Sequence, residues 1–245
     1  MPSNHIVLLP GLLCDEAVWT DQCAALRPFG DVQIPDYKDL DSIEAMARKV
    51  LDSVAPERFS LAGHSMGGRV ALEVVRQAPE RVQRLALLDT GYEPIAPGEA
   101  GEAERKKRLA LLALARTEGM RAMGRQWAPG MVHPDRVGTP LFDEILDMIE
   151  RRTPDQFEAQ IKALLGRPDA AAVLRTLGCP TMLVCGRQDN WSPLPRHEAM
   201  LGLIPPGMGA LRAVEECGHM STMEQPQAVS DILRHWMTSG QKENQ

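Results

Sequence analysis

The chain has 245 residues, 44% of them hydrophobic, enough to bury a full core, and α/β folds of this length commonly form one domain. Lys+Arg number 27 against Asp+Glu 33, a formal charge of −6, so no phosphate-backbone binder and no nucleic-acid partner is expected. Five cysteines without a CxxC argue against a disulfide framework and a zinc site, and no apolar run approaches membrane-spanning length.

"HIVLLPG" (5–11) predicts a strand ending in Pro-Gly, residues 16–28 a helix, and "DVQIP" (31–35) a second strand. Asp41 or Ser42 then caps a helix that runs to about Val54. "RFSLAG" (58–63) is the third strand. After Ser65, Val70, Val74 and Val75 recur at helical spacing up to the stop at Pro79. "VQRLALLD" (82–89) is the fourth strand.

Between Asp89 and Cys179 there is no strand-like run. "RKKRLALLALARTEG", "PLFDEILDMIERR" and "TPDQFEAQIKALLG" read as helices, the last with a Thr153/Gln156 capping box and Pro154 at the first helical position. The basic run "ERKKR" (104–108) reads as a solvated helix face, with Glu102 facing Lys106 and Glu104 facing Arg108 at i,i+4. Strands resume at "PTMLVCG" (180–186) and "GALRAVEE" (209–216), with helices near 193–201, where Ser192-Pro193 caps, and 225–238. Strands alternating with helices mean βαβ units, hence a mostly parallel sheet of about six strands flanked by helices. Residues 1–90 and 178–245 form this core, and 91–177 form a helical lid over the strands' carboxyl ends, where open α/β sheets bind ligands.

The chemistry concentrates at Gly63-His64-Ser65-Met66-Gly67, a G-x-S-x-G pattern between a strand and a helix. A sharp turn projects the serine hydroxyl clear of the backbone, and the glycines two residues to either side leave it room. The turn also leaves the Met66 N–H at a helix N-terminus, where it can donate to an oxyanion. A serine nucleophile needs a base. Of six histidines, His219 in "EECGHMSTMEQP" lies on a loop between the last strand and the last helix, at the same sheet edge as Ser65. His64 sits inside the elbow and points away from the serine. For the acid that orients the imidazole, Asp189 in "CGRQDNWSP" follows a strand, and Asp89 at the end of the fourth strand is the alternative. The second oxyanion donor is expected from "LLPGLLCD" after the first strand, from Leu12 rather than Leu13.

With "GHSMGG", "RPDAAAVLRTLGCP", "PTMLVCGRQDNWSP" and "CGHMSTMEQPQAV" assembled, the chain resembles the α/β-hydrolase superfamily, in its small lidded esterase-like branch, over almost its whole length. The resemblance implies Ser65 as nucleophile, Asp189 as acid, His219 as base and Leu12 and Met66 as oxyanion donors. Two features depart from the family pattern. Pro10-Gly11 stands where His-Gly is usual, and the first two of the family's eight strands are missing.

The expected reaction is ester hydrolysis through an acyl-enzyme, with no metal or cofactor required. The pocket is expected to be walled by Leu13, Trp127, Met131, Trp191 and Met220, beneath a lid rich in apolar residues. With no fixed cation evident over the site, the expected substrate is a neutral, short to medium acyl ester or a lactone. The same machinery also suits C–C bond hydrolysis, thioester hydrolysis or cofactor-free perhydrolysis. From another class, the chain could be a small-ligand receptor with a dormant triad. Ser65 argues against the aspartate-nucleophile epoxide hydrolases and dehalogenases of this fold. The N-terminal stretch lacks the basic region of a signal peptide, so a cytoplasmic protein is expected, monomeric or homodimeric.

Overall fold

Apolar runs that lack helical spacing become the strands β1 (Asn4–Leu9), β2 (Gly30–Gln33), β3 (Phe59–His64), β4 (Val82–Leu88), β5 (Thr181–Gly186) and β6 (Gly209–Val214). They are seen in a computed structural model that describes residues 4–239, so the outermost residues of the expected 1–90 and 178–245 core lie outside the described range. The strands form one sheet in the order β2-β1-β3-β4-β5-β6, and every neighbouring pair is parallel. β3 and β5 are buried at every residue, as strands covered on both faces must be. The edge strands β2 and β6 are largely half-exposed.

The helices of the sheet layers are α1 (Thr20–Leu26), α2 (Ile43–Ser53) and α3 (Met66–Gln77). Between β4 and β5 come α4 (Glu99–Glu118), α5 (Met120–Trp127), α6 (Pro140–Glu150), α7 (Pro154–Leu165) and the short α8 (Ala171–Arg175). The chain closes with α9 (Leu194–Leu203), α10 (Ser221–Glu224) and α11 (Pro226–Thr238). α1 packs on α11, while α2 and α8 pack on α3, which puts two helix groups around the sheet. The α7 capping box forms as the sequence predicts, with Thr153 Oγ accepting from Gln156 N–H and the Gln156 side chain accepting from Thr153 N–H. Ser42, rather than Asp41, caps α2 by accepting from Ala45 N–H.

Some boundaries differ from expectation. β1 ends at Leu9 because Pro10 and Gly11 leave the sheet. β2 is displaced from 31–35 to Gly30–Gln33. Ser192 does not cap α9, because Pro193 is the flanking residue and no side chain bonds the helix end. The separate turn of helix α10 falls within a stretch read as a loop.

The sheet order positions the site. From β1 the chain moves outward to β2, then returns to β3 and proceeds in the opposite direction. The loops leaving β1 and β3 therefore diverge, opening a crevice at the carboxyl ends of these two strands. α4, α5 and α7 border that crevice from the far side, so the inserted segment meets the sheet edge there. Among the described residues, no helix is long and apolar enough to cross a membrane.

Candidate active site

Ser65 follows β3 directly and takes φ 53° and ψ −115°, a conformation an L-residue adopts only under strain. Tight packing holds it there. A Cβ on Gly67 would lie 2.1 Å from the Leu9 carbonyl oxygen of β1, and one on Gly63 would lie 2.3 Å from the Gly67 oxygen. Both positions accept only hydrogen because backbone, which cannot retreat, occupies the space.

The hydroxyl so presented meets His219. Ser65 Oγ lies 2.8 Å from His219 Nε2, and His219 Nδ1 lies 2.8 Å from Asp189 Oδ2. The other Asp189 oxygen accepts from the Trp191 and Ser192 N–H groups at 2.8 and 2.9 Å, so both oxygens have fixed roles. Burial pushes the Asp189 carboxyl up, but the charge and hydrogen bond of His219 and these two N–H groups outweigh it and hold the group below its usual range. For His219, burial opposes the charged form, yet the Asp189 charge and hydrogen bond dominate, and its pKa stands above the ordinary imidazole value.

Asp89, the alternative acid, serves elsewhere. One oxygen accepts from Gly186 N–H at 2.9 Å and the other accepts from the Ser221 hydroxyl. Burial first, and then the nearby charge of Asp189, raise its pKa to about 8.

The loop that carries His219 is braced by groups that sequence reasoning missed. Glu224, buried on α10, accepts from the N–H groups of Gly218 and Met220, on either side of His219, at 3.1 Å, and from His133 N–H at 2.7 Å. His64, inside the elbow, lines the same cavity as Ser65, and its Nε2–H donates to the His219 carbonyl at 2.8 Å. Burial, and then the charge of His219, lower the His64 pKa to about 4, so it is a neutral brace at physiological pH. The near-terminal "EQP" carried no signal that its glutamate would turn back under the loop.

Leu12 and Met66 both border the cavity beside Ser65. Leu13, the alternative donor, is committed, because its N–H donates to Gln160 Oε1 of α7 at 2.8 Å. Of the expected pocket walls, Trp127 and Trp191 line the cavity, stacked with ring centroids 5.2 Å apart, and Trp191 also contacts the His219 ring. Leu13, Met131 and Met220 do not line it. Each is buried in the core, and Met131 instead contributes its carbonyl, which accepts from His219 N–H at 2.6 Å.

The cavity measures about 850 Å³. Its walls overturn the premise that no cation stands over the site: Arg69, Lys107, Arg108, Arg167 and Arg196 all border it. Arg108 pairs with Glu104 as the i,i+4 spacing predicts, but this pair faces the cavity rather than solvent, while Glu102 pairs with Arg105 instead of Lys106. Asp89, Cys185 and Asp189 bring ligand-type atoms within 4.8 Å of one another. The carboxylates there already hold their hydrogen bonds, and burial keeps the Cys185 thiol protonated.

The chain has counterparts among known proteins. The chain is 28% identical, over 91% of both chains, to a pimeloyl-[acyl-carrier protein] methyl ester esterase of Nitrosomonas europaea. It is 27% identical to a 2-hydroxy-6-oxononadienedioate/2-hydroxy-6-oxononatrienedioate hydrolase of a Pseudomonas species, covering 82% of this chain and 70% of that one. A thermophilic esterase from Thermogutta terrifontis superposes with a TM-score of 0.82 at 26% identity, covering 96% of this chain and 89% of that one. The model of the alpha/beta hydrolase family matches residues 6–232, and the protein belongs to that family.

Proposed function

We propose that the protein hydrolyses carboxylic esters through an acyl-enzyme, with Ser65 as nucleophile, His219 as general base and acid, and Asp189 as its orienting carboxylate. The observation that carries this reading is the chain of two 2.8 Å hydrogen bonds from Ser65 Oγ through His219 to Asp189 Oδ2. His219 Nε2 takes the hydroxyl proton as Oγ attacks the ester carbonyl. The oxygen that becomes negative is met by the N–H groups of Leu12 and Met66. His219 then protonates the leaving alcohol, and in the second half it takes a proton from the water that attacks the acyl-enzyme. The Asp189 carboxylate, held by two backbone N–H groups, keeps the proton on Nδ1 and stabilises the imidazolium. The helices between β4 and β5 act as a cap that limits water at the reacting carbonyl.

A second reading, hydrolysis of a carbon–carbon bond in an oxo-dienoate, draws support from the name of the Pseudomonas relative and uses the same residues. A fluorophosphonate probe tests the nucleophile, and a panel of p-nitrophenyl esters, a lactone and a β-diketone separates the reactions. Ser65→Ala is expected to abolish labelling and to lower kcat by about 10⁴-fold or more. Undiminished ester turnover in that variant would remove the hydrolase reading.

A further inference from the structure

The positive side chains around the cavity are not equivalent. Glu104 grips Arg167 with both oxygens, at 2.7 and 2.8 Å, and also Arg108 at 2.9 Å. Glu93 pairs with Arg196 at 3.0 Å. Arg69 differs: among the described residues no carboxylate lies within ion-pair distance of it. Its one hydrogen bond runs from Nη1 to the Glu93 carbonyl at 2.8 Å, which leaves most of the five guanidinium donors unused. The side chain is half-buried, one helical turn beyond Ser65 on α3, and it borders the same cavity. Gly91 clears its place: a Cβ there would lie 3.0 Å from Arg69 Nη2 and 2.8 Å from Arg196 Cδ.

We propose that Arg69, flanked by Arg196 and Arg167, forms an anion subsite, so that the substrate is an ester bearing a free carboxylate at the far end of an apolar spacer. This assignment rests on the ester-hydrolase reading for its reacting end. Five cationic side chains face the cavity against two carboxylates, Glu93 and Glu104, in a chain whose overall charge is −6. The positive excess is therefore local, and it stands over the site. The two glutamates pair with Arg108, Arg167 and Arg196 and so fix their positions, while Arg69 keeps its planar fork free to receive a carboxylate with two parallel N–H bonds. A desolvated cation without a counter-ion is costly, and a bound anion relieves that cost. Burial, and then the charges of Arg167 and Arg196, lower the Arg69 pKa to about 9, with Glu104 opposing. The cavity that holds both Arg69 and the reacting serine is also walled by the apolar Ile95, Pro97, Leu111 and Phe157, which suits a methylene spacer.

The test compares monomethyl esters of straight-chain diacids, from succinate to suberate, with the matching ω-carboxamide methyl esters, by pH-stat. The wild-type protein is expected to favour the acid over its amide by about tenfold or more in kcat/KM at the best chain length. Arg69→Gln should bring that ratio close to one, mainly by raising KM for the acid, and Arg69→Lys should restore part of it. Independently of turnover, calorimetric titration of the Ser65→Ala protein with the free diacids should show binding that Arg69→Gln weakens by about tenfold. Hydrolysis of acid and amide esters at equal kcat/KM, or no diacid binding to Ser65→Ala, would overturn the anion subsite and leave the hydrolase reading standing. Diacid binding in a protein that hydrolyses none of the esters and takes no fluorophosphonate would overturn the hydrolase reading alone.

Discussion

Replacing Asp189 by asparagine tests the site at its least exposed point. The side chain keeps its shape, but one end becomes an NH₂ donor. Oδ1 of Asp189 accepts from Trp191 and Ser192 N–H at 2.8 and 2.9 Å, and Oδ2 faces His219 Nδ1. An asparagine must therefore keep its carbonyl toward the two backbone donors and turn its NH₂ toward His219. The reverse orientation loses two hydrogen bonds in a buried place, about 3 kcal/mol in total, which holds it to about one per cent of the population. Facing a donor, Nδ1 must become an acceptor, so the imidazole proton moves to Nε2 and points at Ser65 Oγ. The base is then in the wrong tautomer, and kcat should fall about 10⁴-fold, equivalent to about 5.4 kcal/mol of activation free energy. The assay is steady-state p-nitrophenyl ester hydrolysis, with urea denaturation to establish that the variant is folded. A loss smaller than about tenfold in a folded variant would refute the assignment of Asp189. Asp89→Asn supplies the contrast. Because burial and then the Asp189 charge raise the Asp89 pKa and so favour its neutral form, asparagine imitates that carboxyl with a loss within about tenfold.

The pH profile follows from His219, which must be neutral to accept the Ser65 proton. Its pKa is raised, so kcat/KM should climb with pH along a limb centred above the ordinary imidazole value; a limb centred below it would contradict the Asp189 pairing. Gln160→Leu leaves the Leu13 N–H buried without its partner, and urea unfolding should report a loss of about 1–3 kcal/mol. A fall in kcat in the same variant would show that this bond also holds the Leu12 loop in place. Gly67→Ala drives a methyl group into the Leu9 carbonyl, and thermal unfolding should show a loss of about 3 kcal/mol or failure to fold; a variant of wild-type stability would mean that the elbow is looser than described.

Much of this protein was legible in the linear chain because the decisive constraints are local. An elbow serine needs small residues two positions to either side, so Gly63 and Gly67 announce it. Strand-length apolar runs alternating with capped helices require a parallel sheet, and a parallel sheet brings the loops after β1, β3, β5 and β6 to one edge. That much placed Ser65, Asp189 and His219 together.

What the tertiary structure alone decided is the lining of the cavity and the bracing beneath the site. Hydrophobicity distinguishes a buried methionine from an exposed one, but it does not say whether the space beside it is core or crevice. Leu13, Met131 and Met220 turned inward for that reason, while Trp127 and Trp191 stack on each other in the cavity wall. Arg69, Arg108, Arg167 and Arg196 lie on four separate stretches, and the i,i+4 pairing that made Arg108 look solvated is indifferent to which way its helix faces. Gln160 reaches Leu13 across 147 residues, and Glu224, besides its near neighbours Gly218 and Met220, reaches His133 across 91. Charge around a cavity is a sum over segments that only the fold brings into register.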